Sequence, residues 1–182
     1  MLRISLLIAI VLFVGLSLEV HAQDARRAQE LATALDKNKY KKKEKANISI
    51  EFYIDIKNEP ALRTASEYAG KYEADDQGYS LDLQFHSGTI TGSGTDIIGN
   101  REANFTLKDA AINGAVLTAT KVYSNGEQRP FEAVFVNRTV SSGKNSSQIE
   151  SQDTKFGLGF IQTASASDAD SNWTNRVFLA RR

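Results

Sequence analysis

Cysteine is absent from the 182 residues, proline occurs twice, and tryptophan and methionine occur once each. Without cysteine there is no disulfide, no thiolate metal site, no cysteine nucleophile and no lipid-modified cysteine. Histidine is nearly missing as well: beyond His21, near the N-terminus, there is only His86. One histidine would leave carboxylates to complete any zinc site, so no metal and no cofactor are expected. A histidine-based triad would have to rest on His86, and no serine sits in a Gly-x-Ser-x-Gly elbow. Long apolar runs are lacking after residue 22, so no transmembrane segment is expected in the remainder.

The one long apolar run is the first. Arg3 gives a positive start, Ile4 to Leu18 is almost unbroken Leu, Ile and Val, and Val20-His21-Ala22 precedes Gln23. This is the pattern of a signal peptide over residues 1–22, cleaved after Ala22. The run is shorter than a spanning helix needs and meets Glu19. The chain is therefore expected to be exported, to the periplasm or the exterior. Export without disulfides fits a bacterial envelope better than a disulfide-dense extracellular module. The chain beyond residue 22 is long enough for one domain with its own core.

Charge balances overall, with 22 basic and 22 acidic residues, but not locally. Residues 24–46 hold eight basic residues against four acidic ones. This stretch begins with a helical spacing of Ala25, Ala28, Leu31, Ala32 and Leu35, and lysine density then ends it. Residues 23–46 are thus expected as a short basic helix and solvated linker. Such a stretch also suits weak adhesion to anionic lipid, polysaccharide or nucleic acid. Tyr40 alone makes no stacking platform for bases, so no specific nucleic acid is expected.

From Ile48 the period changes to two. Ile48, Ile50, Phe52, Ile54 and Ile56 alternate with Ser49, Glu51, Tyr53, Asp55 and Lys57, predicting a strand with its apolar face buried. Further strands are expected around Tyr68–Glu73, Tyr79–His86, Thr89–Ser93, Phe105–Leu107, Val116–Tyr123, Phe131–Val140, Phe156–Thr163 and Trp173–Ala180. Ser87-Gly88, Asn113-Gly114 and Ser124-Asn125-Gly126 supply tight turns. Residues 94–100, 141–153 and 164–172 read as longer loops. Short strands joined in sequence by hairpins predict an all-β antiparallel up-and-down barrel of about eight strands over 47–182, with a sandwich as the alternative.

The order Gly70-Lys71-Tyr72, a strand ending at His86, Gly88-Thr89-Ile90-Thr91-Gly92 and a Gly99-Asn100 loop resembles the lipocalin and avidin group of calycin-type barrels. The resemblance covers Tyr68 to about Arg182. It implies a barrel with a cavity at one mouth. Tyr72 stands where the family usually has tryptophan, and Trp173 is the lone tryptophan, so biotin binding is not carried over.

Three function classes are compatible with this pattern. The first is a non-enzymatic carrier of a small apolar ligand, with Tyr79, Leu81, Leu83 and Phe85 as the wall of the cavity and Tyr72 and Trp173 beside it. The second is an inhibitor or surface factor with a filled barrel, binding a protein or envelope-surface partner through the long loops. The third is a metal-free enzyme using Glu73, Asp82 or Tyr79 in a barrel mouth. Asp168, Asp170 and Asn172 are spaced like calcium ligands, but Trp173 replaces the needed glycine and Leu179 the needed glutamate.

Overall fold

The structure, a computed structural model, describes residues 22–45, 48–74, 78–98, 101–163 and 174–182. The expected signal peptide, Trp173 and the calcium-like triplet lie outside these residues.

A helix, α1, spans 22–34. Ten strands come after it: β1 Lys37–Lys45, β2 Ile48–Pro60, β3 Gly70–Glu73, β4 Ser80–His86, β5 Thr89–Ile98, β6 Arg101–Asn113, β7 Val116–Tyr123, β8 Gln128–Asn145, β9 Gln148–Thr163 and β10 Thr174–Arg181. Strands β3 to β10 pair antiparallel in chain order, and β10 pairs with β3. Eight strands thus close an up-and-down barrel, which removes the free edges of a flat sheet. The turn dipeptides act as their chemistry dictates. Ser87 and Gly88 both take positive φ, 48° and 81°, as a two-residue hairpin turn requires.

Inside the barrel, alternate residues interdigitate. The row Tyr72, Leu81, Gly94, Phe105, Tyr123 runs through the registers of β3 to β7, and Phe135 pairs with Leu158. The outward row Lys71, Asp82, Ser93 and Thr106 is polar, whereas the outward row Val116, Val134, Gly159 and Phe178 is apolar. One end is closed by residues 61–69, where a 3-10 turn, Ala65–Tyr68, inserts a fully buried Tyr68 ring. That ring stacks on Phe135 with centroids 4.0 Å apart.

The N-terminal helix lies against the outside of the barrel. Its narrow stripe, Ala28, Ala32 and the following Leu35, is buried. Close approach is possible because β9 offers Gly159; a Cβ there would stand 2.3 Å from Leu35 Cδ1. Arg27 Nε donates to Glu132 Oε1 on β8 at 3.0 Å, and Arg176 Nε donates to the Ala34 carbonyl at 2.7 Å, satisfying a helix-end acceptor.

The structure corrects four expectations. Lysines 37 to 45 are not a linker but strand β1, paired in full register with β2. Residues 141–153 are not a loop, because β8 and β9 continue as a ladder to a two-residue turn at 146–147. Residues 94–98 likewise belong to β5, whose alternation is hidden by glycines. The apolar face of β2 is not fully buried: Phe52 is 44% exposed, and Ile54 and Ile56 are half-buried. The reason is common to three of these. Strands β8 and β9 outrun the barrel, and their far halves pair with β2 and then β1 to form a four-stranded arm beyond its closed end.

Candidate functional site

Four of the six predicted wall residues meet inside the barrel. Tyr72, Tyr79, Leu81 and Leu83 are all at most 5% exposed. Tyr72 donates its hydroxyl proton to the Tyr68 carbonyl, and Tyr79 donates to the Ile97 carbonyl at 3.2 Å. Phe85 is separate: it stands 36% exposed next to the 87–88 hairpin, where β4 runs out of the barrel. Glu73, Asp82 and Tyr79 do not share a mouth. Glu73 and Asp82 sit on the outer wall in the phase opposite to Tyr72 and Leu81, whereas Tyr79 points inward. An open groove of about 640 Å³ crosses that outer wall from β3 to β7, flanked by Lys71, Asp82, Ser93 and Thr106. Its lining mixes these polar side chains with Leu81, Phe105 and Val122, and it is open rather than enclosed.

The chemistry that sequence reasoning missed lies within the barrel. Lys121 and Asp96 are 5% and 2% exposed. Lys121 Nζ donates to both Asp96 carboxylate oxygens at 2.8 Å, and Tyr123 Oη donates to Asp96 Oδ2 at 2.6 Å. The ammonium also faces the rings of Phe131, Phe105 and Phe160, 4.1, 4.3 and 4.8 Å from their centroids. A signal for it existed. Leu117, Ala119, Lys121 and Tyr123 share one phase of β7, so a lysine occupies a core position. A buried ammonium survives there only if paired and hydrogen-bonded. Burial draws the Lys121 ammonium below its ordinary range, and the Asp96 carboxylate opposes that shift.

These spacings are contact distances, so this layer is occupied by its own side chains. The layer at the closed end is similarly filled: Phe135 lies 5.9 Å from Tyr72 and 6.3 Å from Phe156, centroid to centroid. Leu81, Leu83, Leu117 and Leu158 are at most 2% exposed.

Burial also raises four phenols, Tyr68, Tyr72, Tyr79 and Tyr123, with Tyr72 pushed up to about 12 from 10.0. The folded state therefore holds these protons more tightly than the unfolded chain. For Tyr72 the contribution to stability is complete below pH 10.0 and declines as pH rises toward 12. Subtracting the alkaline titration of Tyr72→Phe from that of the wild type isolates Tyr72. Its phenolate absorbance is expected to appear together with loss of near-ultraviolet circular dichroism. Ionisation of Tyr72 in a chain that keeps its native dichroism would contradict its burial.

Among the described residues no group of three or more His, Cys, Asp or Glu is placed to hold a metal ion. None of their helices is long and apolar enough to cross a membrane. No family model, curated protein or solved structure matches the chain.

Proposed function

We propose that the chain is an exported, non-enzymatic interaction protein whose barrel is a filled scaffold and whose working parts are on the outside. One observation carries this reading: the Lys121–Asp96–Tyr123 cluster, packed under three phenylalanine rings, occupies a layer that a carrier would leave open. Carriers of drug-sized apolar molecules enclose several hundred cubic ångströms lined mostly by apolar side chains. Here the described groove of that size is open and lies on the outer wall. The apolar N-terminal run and the lack of cysteine support export. The β8–β9 ribbon replaces the expected 141–153 loop as the element offered to a partner.

A second reading keeps the calycin-like likeness and places a small apolar ligand inside. It is favoured by the closure of one barrel end by Tyr68 and by the apolar wall of Tyr72, Leu81 and Leu83. Native mass spectrometry of the exported chain, gently purified from its own compartment, separates the two. The scaffold reading expects a bare mass in every preparation. A persistent extra mass that leaves on denaturation would establish cargo and overturn it.

A further inference from the structure

The arm sorts its charges by pleat. Strand β1 pairs with β2 through Lys37↔Ile56, Lys39↔Ile54, Lys41↔Phe52, Lys43↔Ile50 and Lys45↔Ile48. In an antiparallel ladder, directly opposed residues share a face. Over 37–42 and 51–56, one phase of this hairpin therefore holds Lys37, Lys39 and Lys41 with Phe52, Ile54 and Ile56, and no acid. The other phase holds Asn38↔Asp55, Tyr40↔Tyr53 and Lys42↔Glu51, which takes both acids of these pairs. The basic phase continues across β2 into β8 through Ile56↔Val140 and Asn58↔Arg138, and on to Lys155 of β9. Asp153, opposite Val140, is an acid that shares it.

Edge lysines are common guards against strand-to-strand aggregation. That role alone does not explain the pattern. A guard works from either phase, yet three of the four lysines at 37–42 take one. Nor does it need an aliphatic row left open beside them, and here Phe52 is 44% exposed with Ile54 and Ile56 half-buried.

From this segregation we infer that the β1–β2 face of the arm docks on an anionic lipid bilayer, the lysines meeting phosphate headgroups and the Phe52–Ile54–Ile56 row entering the interface between them. This deepens the proposed function by naming the partner of its outer surface, and it rests on that reading. A bilayer is favoured over nucleic acid because the basic phase has one ring, Phe52, among aliphatics; single strands are held by successive aromatic platforms. Long lysine stems can lie over apolar neighbours while their heads reach the charged surface.

The test is co-sedimentation of the exported full chain, its N-terminus verified by mass spectrometry, with phosphatidylglycerol vesicles and with phosphatidylcholine vesicles. Binding is expected to the first and not the second, and to fade with added salt. Each lysine near an anionic surface contributes roughly fivefold. Lys39→Glu with Lys41→Glu should therefore weaken binding by at least about 25-fold, and Phe52→Ser should weaken it further. Lys42→Glu, on the other phase, should change it by about twofold or less. Near-ultraviolet dichroism checks that each variant keeps its barrel. With the wild-type chain, phosphatidylglycerol vesicles should slow hydrogen exchange over 37–42 and 51–56 but not over β4. Equal binding to both lipids, equal loss from Lys39→Glu/Lys41→Glu and Lys42→Glu, no exchange protection on the arm, or preference for a single-stranded oligonucleotide over the vesicles would overturn the inference. Any of these together with a bare native mass would sink the lipid assignment while leaving the scaffold reading standing.

Discussion

Asp96→Ala is expected to destabilise the barrel by about 3–5 kcal/mol, read as a shift of the urea midpoint at constant slope. The substitution removes both acceptors of the Lys121 ammonium, whose side chain is 6% exposed. It also strips the Tyr123 hydroxyl of the carboxylate to which it donates. The ring faces of Phe105, Phe131 and Phe160 soften the loss, a desolvated cation–π contact being worth about 2 kcal/mol or more, but they supply no hydrogen-bond acceptor in place of the two removed. Most of the cost is an uncompensated buried charge rather than the net worth of the pair. Asp96→Leu, Lys121→Met and Tyr123→Phe combined remove every polar partner together, and that variant should return to within about 1–2 kcal/mol of the wild type or exceed it.

The pH dependence gives an independent check. Burial lowers the Lys121 pKa in the folded chain, and Asp96 is what opposes that shift. In Asp96→Ala the folded pKa falls further, so between it and the ordinary 10.5 the unfolded chain binds more protons. Stability of the variant should then rise with pH through that window, before the buried phenols begin to lose protons. A loss below about 1 kcal/mol with no such recovery would mean that water reaches Lys121. The interior would then hold space, and the carrier reading would gain ground.

The barrel was legible because most of its evidence is local. Leu81, Leu83 and Phe85 alternate with Asp82, Gln84 and His86, and Ser87-Gly88 and Asn113-Gly114 mark the turns that decide which strands are neighbours. The arm was not legible for the opposite reason. Its lysines have no apolar alternation of their own, and β1 is a strand only because β2 offers it a full ladder. The Ser- and Asn-rich 141–153 segment likewise looks like a loop until β8 and β9 pair through Thr139 with Thr154 and Ser142 with Ser151. Composition reports side chains, whereas a two-sided polar ribbon is held by backbone hydrogen bonds. Within the barrel, the wall residues Tyr79, Leu81 and Leu83 were read by phase, whereas Tyr72 came from the likeness to calycin-type barrels. Asp96 was missed because Gly92 and Gly94, which precede it in phase, have no side chains to reveal the alternation.

Tyr68→Ala is expected to cost about 3–5 kcal/mol, and Tyr68→Phe about 1–3 kcal/mol. The ring accounts for the larger figure: it is fully buried and stacks on Phe135 at an interplanar angle of 16°. The hydroxyl accounts for the smaller. It accepts from the Arg63 N–H at 2.8 Å and lies 2.8 Å from the Ala61 carbonyl and 3.0 Å from that of Gly114, tying the closing segment to the β6–β7 hairpin. Hydrogen exchange should locate the damage, with amides of 61–69 and 113–117 opening first in Tyr68→Ala and those of β5 and β7 opening first in Asp96→Ala. The alanine variant also creates the space that the scaffold reading denies to the wild type. The ring's part of that hole, against Phe135, accepts a benzene-sized molecule, while a water can replace the hydroxyl among the Arg63 N–H and the Ala61 and Gly114 carbonyls. Saturating benzene should therefore raise the melting temperature of Tyr68→Ala and leave that of the wild type unchanged. If benzene stabilised the wild type as well, the interior would already contain a site, and cargo rather than surface would become the working explanation of the barrel.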